Sequence, residues 1–206
     1  MAKKTYEKAR IAVDAVIFTI HDKKLKVLLH KREKEPYKNK QELPGGLLRE
    51  NETAEETLSR KLEEIIEHKN IFFQQFFTFT HPSRDPRERT ISICFIALIN
   101  EEKITNINNW YDYLNLPELA FDHKGIIKRA RAYLKENVSS LIAKQFMPKE
   151  FPLNKLQDAY EIIEGKKYDN RNFRKKMISS GIVIETNKME TNVSHRPAKL
   201  FKFKSS

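Results

Sequence analysis

The sequence predicts an α+β protein in two parts, a mixed sheet flanked by helices followed by a small helix-helix-hairpin module. Three observations predict it. Apolar runs of strand length alternate with helical periodicity over roughly the first 140 residues. The last 56 residues change to two short helices and then two short strands. The length of 206 residues suits one domain of usual size plus a small module.

The elements follow in order. Residues 10–20 and 25–32 are rich in Val, Ile and Leu and flank the polar turn His21-Asp22-Lys23-Lys24, so they form a hairpin. A basic start followed by apolar Ile11 to Ile20 has the outline of a signal peptide, but Asp14 interrupts it and no small-residue cleavage site follows. It reads as the first strand. After a charged loop containing Pro36, the pair Gly45-Gly46 permits a bend that other residues resist. From Thr53 to Glu67 there is no Gly or Pro, Leu58, Leu62, Ile65 and Ile66 recur at helical spacing, and Thr53 with Glu56 fits a capping box. Strands are expected around Ile71 to Thr80 and Thr90 to Ile99, joined by the charged loop His81 to Arg89, with a helix from Phe121 to Glu136 closing the domain.

Val138 to Pro152, with Pro148 and Pro152 near its end, reads as a linker, which divides the chain into domains 1–145 and 146–206. Beyond it come a helix from Leu153 to Ile163 stopped by Gly165, a helix from Asp169 to Ser180 stopped by Gly181, and short strands at Ile182 to Thr186 and Leu200 to Phe203. This is the order of a winged helix-turn-helix whose first helix is either in the linker or missing.

Composition narrows the function classes. Hydrophobic residues at 39% and charged residues at 33% suffice for a packed core and exclude a membrane protein. The formal charge of +11 favours polyanions, and from Phe151 onward twelve Lys and Arg face six Asp and Glu, so +6 of the excess sits in the C-terminal module. Cys94 is the single cysteine. No intrachain disulfide is possible, a reducing cytoplasm is the natural compartment, and a thiol within the apolar run Thr90 to Ile99 is an inert core residue.

Gly46, Glu52, Arg60, Leu62 and Glu64 resemble the signature of the Nudix family, in a box running from Gly46 to His68. The resemblance implies an α/β/α sandwich with a mixed sheet, and carboxylates at positions 61, 64 and 65 that share one helix face and bind Mg²⁺. The sequence has Lys61, Glu64 and Ile65, and Glu67 in place of the signature's later glycine. Lys61 can pair with Glu64 where a dication would need oxygens, so no metal, cofactor or catalytic residue is assigned and hydrolysis is expected to be lost. The competing reading is a weak Mg²⁺-dependent hydrolase of ADP-ribose using Glu52, Glu56 and Glu64.

Further segments, Val13-Asp14-Ala15-Val16-Ile17-Phe18-Thr19, Arg84-Asp85-Pro86-Arg87, Leu119-Ala120-Phe121-Asp122-His123 and Arg196-Pro197-Ala198, are similar to Nudix-related transcriptional regulators of NAD metabolism, the NrtR type. That resemblance implies a homodimeric repressor of double-stranded operator DNA that senses ADP-ribose or a related nucleotide, or in one branch a sugar. Arg32, Gly46, Glu64, Arg84 and Arg87 are the candidate ligand contacts; the two loop arginines can fit phosphate oxygens bidentately. His123 reads as a satisfied histidine at a helix start.

In the C-terminal module, Asp169 can cap the second helix, with Phe173 and Met177 facing the core. Arg171, Asn172, Arg174 and Lys175 then lie outward, a set able to read bases and neutralise phosphate. The polar loop Lys188 to Lys199 would form a wing carrying His195 and Arg196.

Overall fold

The computed structural model describes residues 8–65, 71–104, 106–138, 140–191, 194 and 196–204, with 140–142 described in their backbone only. Its first strand, β1 (Arg10–His21), is buried from Val13 to Thr19, which is why it reads as one continuous apolar run. Asp22 and Lys23 both take positive φ, 49° and 55°, and close a two-residue hairpin turn into β2 (Lys24–Leu28). The second expected strand is divided. At Leu29 the backbone N–H donates to the Asn109 carbonyl at 3.0 Å, and the chain leaves β1 to form β3 (His30–Lys31), which pairs with β4 (Gln41–Glu42).

A short strand β5 (Gly45–Leu47) returns to pair with the first half of β1. A Cβ at Gly45 would stand 2.4 Å from the Val13 carbonyl oxygen, so only glycine allows this approach. Helix α1 (Ala54–Ile65) starts at the expected capping box: the Thr53 N–H donates to Glu56 at 2.7 Å and the Glu56 N–H donates to Thr53 Oγ1 at 3.1 Å.

The strands β6 (Phe72–Phe79) and β7 (Thr90–Leu98) follow, with β7 parallel to β1 from Arg10↔Thr90 to Phe18↔Leu98. A strand absent from the sequence reading, β8 (Trp110–Asp112), pairs with β2 and completes the order β6-β7-β1-β2-β8. Helix α2 (His123–Glu136) lies on one face of this sheet. Side chains alternate between layers: Val13, Ala15 and Ile17 meet Leu58 and Leu62 of α1, whereas Val16 and Phe18 meet Ile126, Ile127, Ala130 and Leu134 of α2. The result is the expected sandwich.

The segment expected as a linker is structured. It holds α3 (Ser140–Gln145) and β9 (Phe151–Pro152), with Ala143, Phe146, Met147 and Phe151 buried, because its apolar residues complete a core rather than bridge two. Helix α3 packs on α4 (Leu153–Glu164), whose C-cap Gly165 has φ 72°, and α5 (Asn170–Ser179) is capped by Asp169, which accepts from the Asn172 N–H at 2.9 Å. A three-stranded sheet of β10 (Val183–Met189), β11 (Lys199–Phe203) and β9, in the order β10-β11-β9, finishes the winged helix, with Pro152 on its edge strand. No helix among the described residues is long and apolar enough to cross a membrane.

The two parts share one core. The cluster containing Val16, Phe18, Ile126 and Leu134 continues without interruption into Phe146, Leu156, Ala159, Ile163 and Phe173. Arg131 of α2 donates from Nη2 to the Ile162 carbonyl of α4 at 2.9 Å, and Lys155 pairs with Glu101 at 2.9 Å. Truncating a side chain of this core on the winged-helix side should therefore be felt in the sheet. Leu156→Ala should cost about 2–5 kcal/mol. Trp110, the single tryptophan and a resident of β8, should report the same shifted urea midpoint by fluorescence as far-UV circular dichroism reports for the helices.

Candidate functional site: a cation-lined cavity and an exposed recognition helix

A cavity of about 300 Å³ opens where β1, β5, the β6–β7 loop and the start of α2 converge. Asp14 enters it from β1, Arg32 from the segment after β3, Gly46 from β5, Arg84 and Arg87 from the β6–β7 loop, and Phe121 with His123 from the entry to α2. Four of the five expected ligand residues, Arg32, Gly46, Arg84 and Arg87, are thus brought together.

Arg84 is buried, not a solvated loop charge. Its Nε and Nη2 donate to both carboxylate oxygens of Asp122 at 3.0 and 2.9 Å, and Nη2 also reaches Asp14 at 3.3 Å. Asp14 accepts in turn from the Ser92 hydroxyl, with its other oxygen 3.7 Å from His123 Nε2. The Leu43 N–H donates to His123 Nδ1 at 3.0 Å, which places the ring proton on Nε2, facing Asp14. Burial pushes the His123 pKa down, so this ring is neutral, as expected for a satisfied histidine. The Cys94 thiol is buried behind the same cluster and pushed well above its ordinary range, first by burial and then by the Asp14 charge, in keeping with an inert residue.

Among the lining residues missed as site candidates are Phe121 and Asp14, beside the exposed Lys34. Phe121 adopts φ 51°, and its ring lies 4.8 Å from the Arg32 guanidinium carbon and 5.4 Å from that of Arg87, with the edge of Tyr37 at 5.0 Å. Arg32 is held there by donating to Glu42 at 2.7 Å and to the Pro36 carbonyl at 2.6 Å; Arg87 by a two-pronged contact with Asp85 at 2.7 and 2.9 Å. Asp14 is another such omission, and its signal was present: a carboxylate in the middle of an apolar strand.

Glu64, the fifth expected ligand residue, does not line the cavity. It accepts from Lys61 Nζ at 2.6 Å, and Arg60 stands 3.6 Å away. Glu52 accepts from Arg60 at 2.7 Å through both oxygens and from the Thr57 hydroxyl at 2.9 Å. Glu56 is occupied by the capping box. Each carboxylate of the competing hydrolase reading thus faces a cation or a backbone N–H. Among the described residues no group of three His, Cys, Asp or Glu is placed to hold a metal ion.

On α5, Phe173 and Met177 are buried as expected, and Arg171, Asn172 and Lys175 are exposed on the other side. Arg174 is exposed too, but its guanidinium carbon lies 5.3 Å from the Phe201 ring centroid, which ties it to β11. Arg196 is exposed in the segment between β10 and β11, and His195 lies outside the described residues.

The fold and these two sites define a Nudix sandwich joined to a DNA-binding winged helix. The model of the NUDIX domain matches residues 8–133 and that of the NrtR DNA-binding winged helix domain matches residues 143–203, and the chain belongs to the NrtR family of Nudix-related transcription regulators. A protein of Acinetobacter baylyi described as an ADPR responsive transcriptional repressor NtrR is 30% identical over 98% of this chain and 84% of its own length. The crystal structure of Shewanella oneidensis NrtR complexed with a 27mer DNA superposes with a TM-score of 0.83 at 32% identity, covering 94% of this chain and 93% of that one. The NUDIX domain of the same Shewanella protein, in a cocrystal structure with ADP ribose, matches 63% of this chain and 90% of its own with a TM-score of 0.56 and 34% identity.

Stability separates the two loop arginines. Arg84→Met strands the buried Asp14 and the partly buried Asp122 and should cost about 3–5 kcal/mol, whereas Arg87→Met takes a half-exposed guanidinium from the buried Asp85, which keeps the Arg87 backbone N–H, and should cost less, about 1–3 kcal/mol, in urea unfolding. A second expectation concerns acid. Hydrogen bonds from Arg60, then Thr57, hold the Glu52 pKa at about 2 against an ordinary 4.5, so its contribution is fully present above 4.5 and is lost as pH falls toward 2. Glu52→Gln should flatten that limb of the stability–pH curve, and an unchanged limb would show the pair to be idle.

Proposed function

We propose that this chain is a homodimeric transcriptional repressor, acting in the cytoplasm, that binds operator DNA through its winged helix and takes ADP-ribose as effector in the Nudix cavity without hydrolysing it. One observation carries the reading. A cavity walled by Arg32, Arg84, Arg87 and Phe121 sits at the entry of a helix whose other end shares its core with the winged helix, within a chain that resembles regulators over nearly its whole length. Guanidinium groups and an aromatic face suit a ligand made of phosphates and a base.

The absence of hydrolysis is read from α1. Hydrolysis of a diphosphate in this fold relies on a metal-activated water, and the Lys61–Glu64 pair at 2.6 Å occupies the helix face that would hold the metal. On the DNA side, we assign the contacts to Arg171, Asn172 and Lys175, exposed on α5, to Arg174 beside them, to Arg196 between β10 and β11 and, from its place in the sequence alone, to His195. A two-fold dimer matches the two-fold symmetry of winged-helix operators.

Selection from a genomic library should enrich a palindromic site. Arg171→Ala should weaken it by about 1–3 kcal/mol and blur its sequence preference, and Lys175→Ala should weaken all sites evenly. ADP-ribose should shift operator affinity by about 5–150-fold and operator DNA should shift ADP-ribose affinity by the same factor. Incubation with Mg²⁺ should leave ADP-ribose intact. A sugar that binds and shifts DNA affinity where ADP-ribose does neither would replace the effector, and turnover abolished by Glu64→Gln would make the protein a hydrolase.

A further inference from the structure

The helix face that would carry a metal in this family does not fit one here: of positions 61, 64 and 65 only Glu64 is a carboxylate, and it faces an ammonium. We infer that Lys61 supplies the counter-charge for the effector's diphosphate, in the place of the dication, so that effector binding requires no metal. The inference rests on the ADP-ribose reading and deepens it.

The guanidinium charge in the cavity wall is matched without a ligand. Arg84 is matched by Asp122 and Asp14, Arg87 by Asp85, and Arg32 by Glu42. A diphosphate entering this wall finds guanidinium groups whose charge is already compensated and one exposed lysine, Lys34, against the charge of two phosphates, and it gains from a further cation. The neighbouring box cluster has one to offer. Arg49, Arg60 and Lys61 surround Glu52 and Glu64, three cations against two carboxylates, where a metal-binding helix face would be negative until the ion arrived. The sign of the site is inverted, from cation-seeking to anion-seeking.

Position supports the same conclusion. Gly46 lines the cavity, and the Lys61 side chain lies directly over it: a Cβ at Gly46 would stand 3.0 Å from Lys61 Cε and 3.8 Å from Cδ. Lys61 is not itself a lining residue, but its stem packs on Gly46, which is, and its ammonium is held by an exposed partner, Glu64, that a phosphate can displace by offering a denser negative charge. Lysine suits the task as a compact point charge on a flexible stem, able to exchange one oxyanion for another by rotation alone.

Titration calorimetry of the full chain with ADP-ribose, in EDTA and separately in Mg²⁺, tests this. The native protein should bind with the same Kd in both, within about twofold. Lys61→Met should weaken binding about tenfold, which corresponds to about 1.4 kcal/mol. Lys61→Arg should retain most of the affinity, and Glu64→Gln should tighten it several-fold by releasing the ammonium. Thermal unfolding of each variant checks that it is folded, and the exposed Glu64→Gln carries the test should Lys61→Met fail. Native binding seen only with Mg²⁺, or Lys61→Met binding as tightly as native, overturns the inference and leaves the effector reading standing. No binding of ADP-ribose in either buffer removes the effector reading itself.

Discussion

Burial of α2 is the constraint on which both sites depend. Its apolar stripe, Ile126, Ile127, Ala130 and Leu134, is fully buried between the central sheet and the C-terminal helices, and such a stripe of an amphipathic helix fixes the rotation of the helix about its axis. With the rotation fixed, the residues at its entry have no freedom of placement. Phe121 and His123 are delivered to the cavity, Asp122 to Arg84, and Arg131, two turns further on, to the Ile162 carbonyl of α4. Close packing in such a core transmits displacement, because a side chain without free volume cannot move alone.

The polar cluster at the entry of α2 gives that packing an electrostatic counterpart. Asp122 is joined to the β6–β7 loop through Arg84, and Asp14 joins the same guanidinium to β1, so loop, strand and helix meet at one buried charge. A ligand that competes for any of these oxygens or donors alters the balance holding the helix entry. Coupling of this kind is reciprocal: whatever free energy the ligand gains or loses through α2, the DNA-bound form gains or loses as well.

Much of this was legible in the sequence, and the reasons differ from element to element. The capping box at Thr53 and Glu56, the stop at Gly165 and the Asp169 cap were readable because each is a local exchange of hydrogen bonds with a fixed spacing. The Lys61–Glu64 pair was readable for the same reason, as neighbours on one helix face. Trp110–Asp112 was not, because a three-residue strand has no period of its own and exists by its pairing with β2. The apparent linker misled because its prolines signal loops locally, while Phe146 and Phe151 are claimed by a core assembled from distant segments. In the cavity, Arg84 and Arg87 announced themselves as loop arginines, but only the fold shows that one is buried between two aspartates and the other is not. Phe121 carried no local mark of its part at all, since its role comes from two guanidinium groups supplied by other loops.

The exchange of a carboxylate for Lys61 bears on why a sensor and a hydrolase can share one cavity. A bound dication does two things to a diphosphate: it neutralises the ground-state charge, and it generates a nucleophile by lowering the pKa of a bound water. An ammonium can do only the first. In the role proposed for Lys61, its interaction with the ligand would be the same whether or not a reaction is under way, and such uniform binding lowers a dissociation constant without accelerating a chemical step. The remaining candidate base is equally disarmed, for Glu52 is held at about 2 by two hydrogen bonds from Arg60 and has little tendency to take a proton from water near neutral pH. A regulator needs this combination. Its response tracks ligand concentration only if the ligand that leaves the cavity is the ligand that entered, and a site that bound through fixed cations while withholding an activated water, as proposed, would meet that condition with side chains alone.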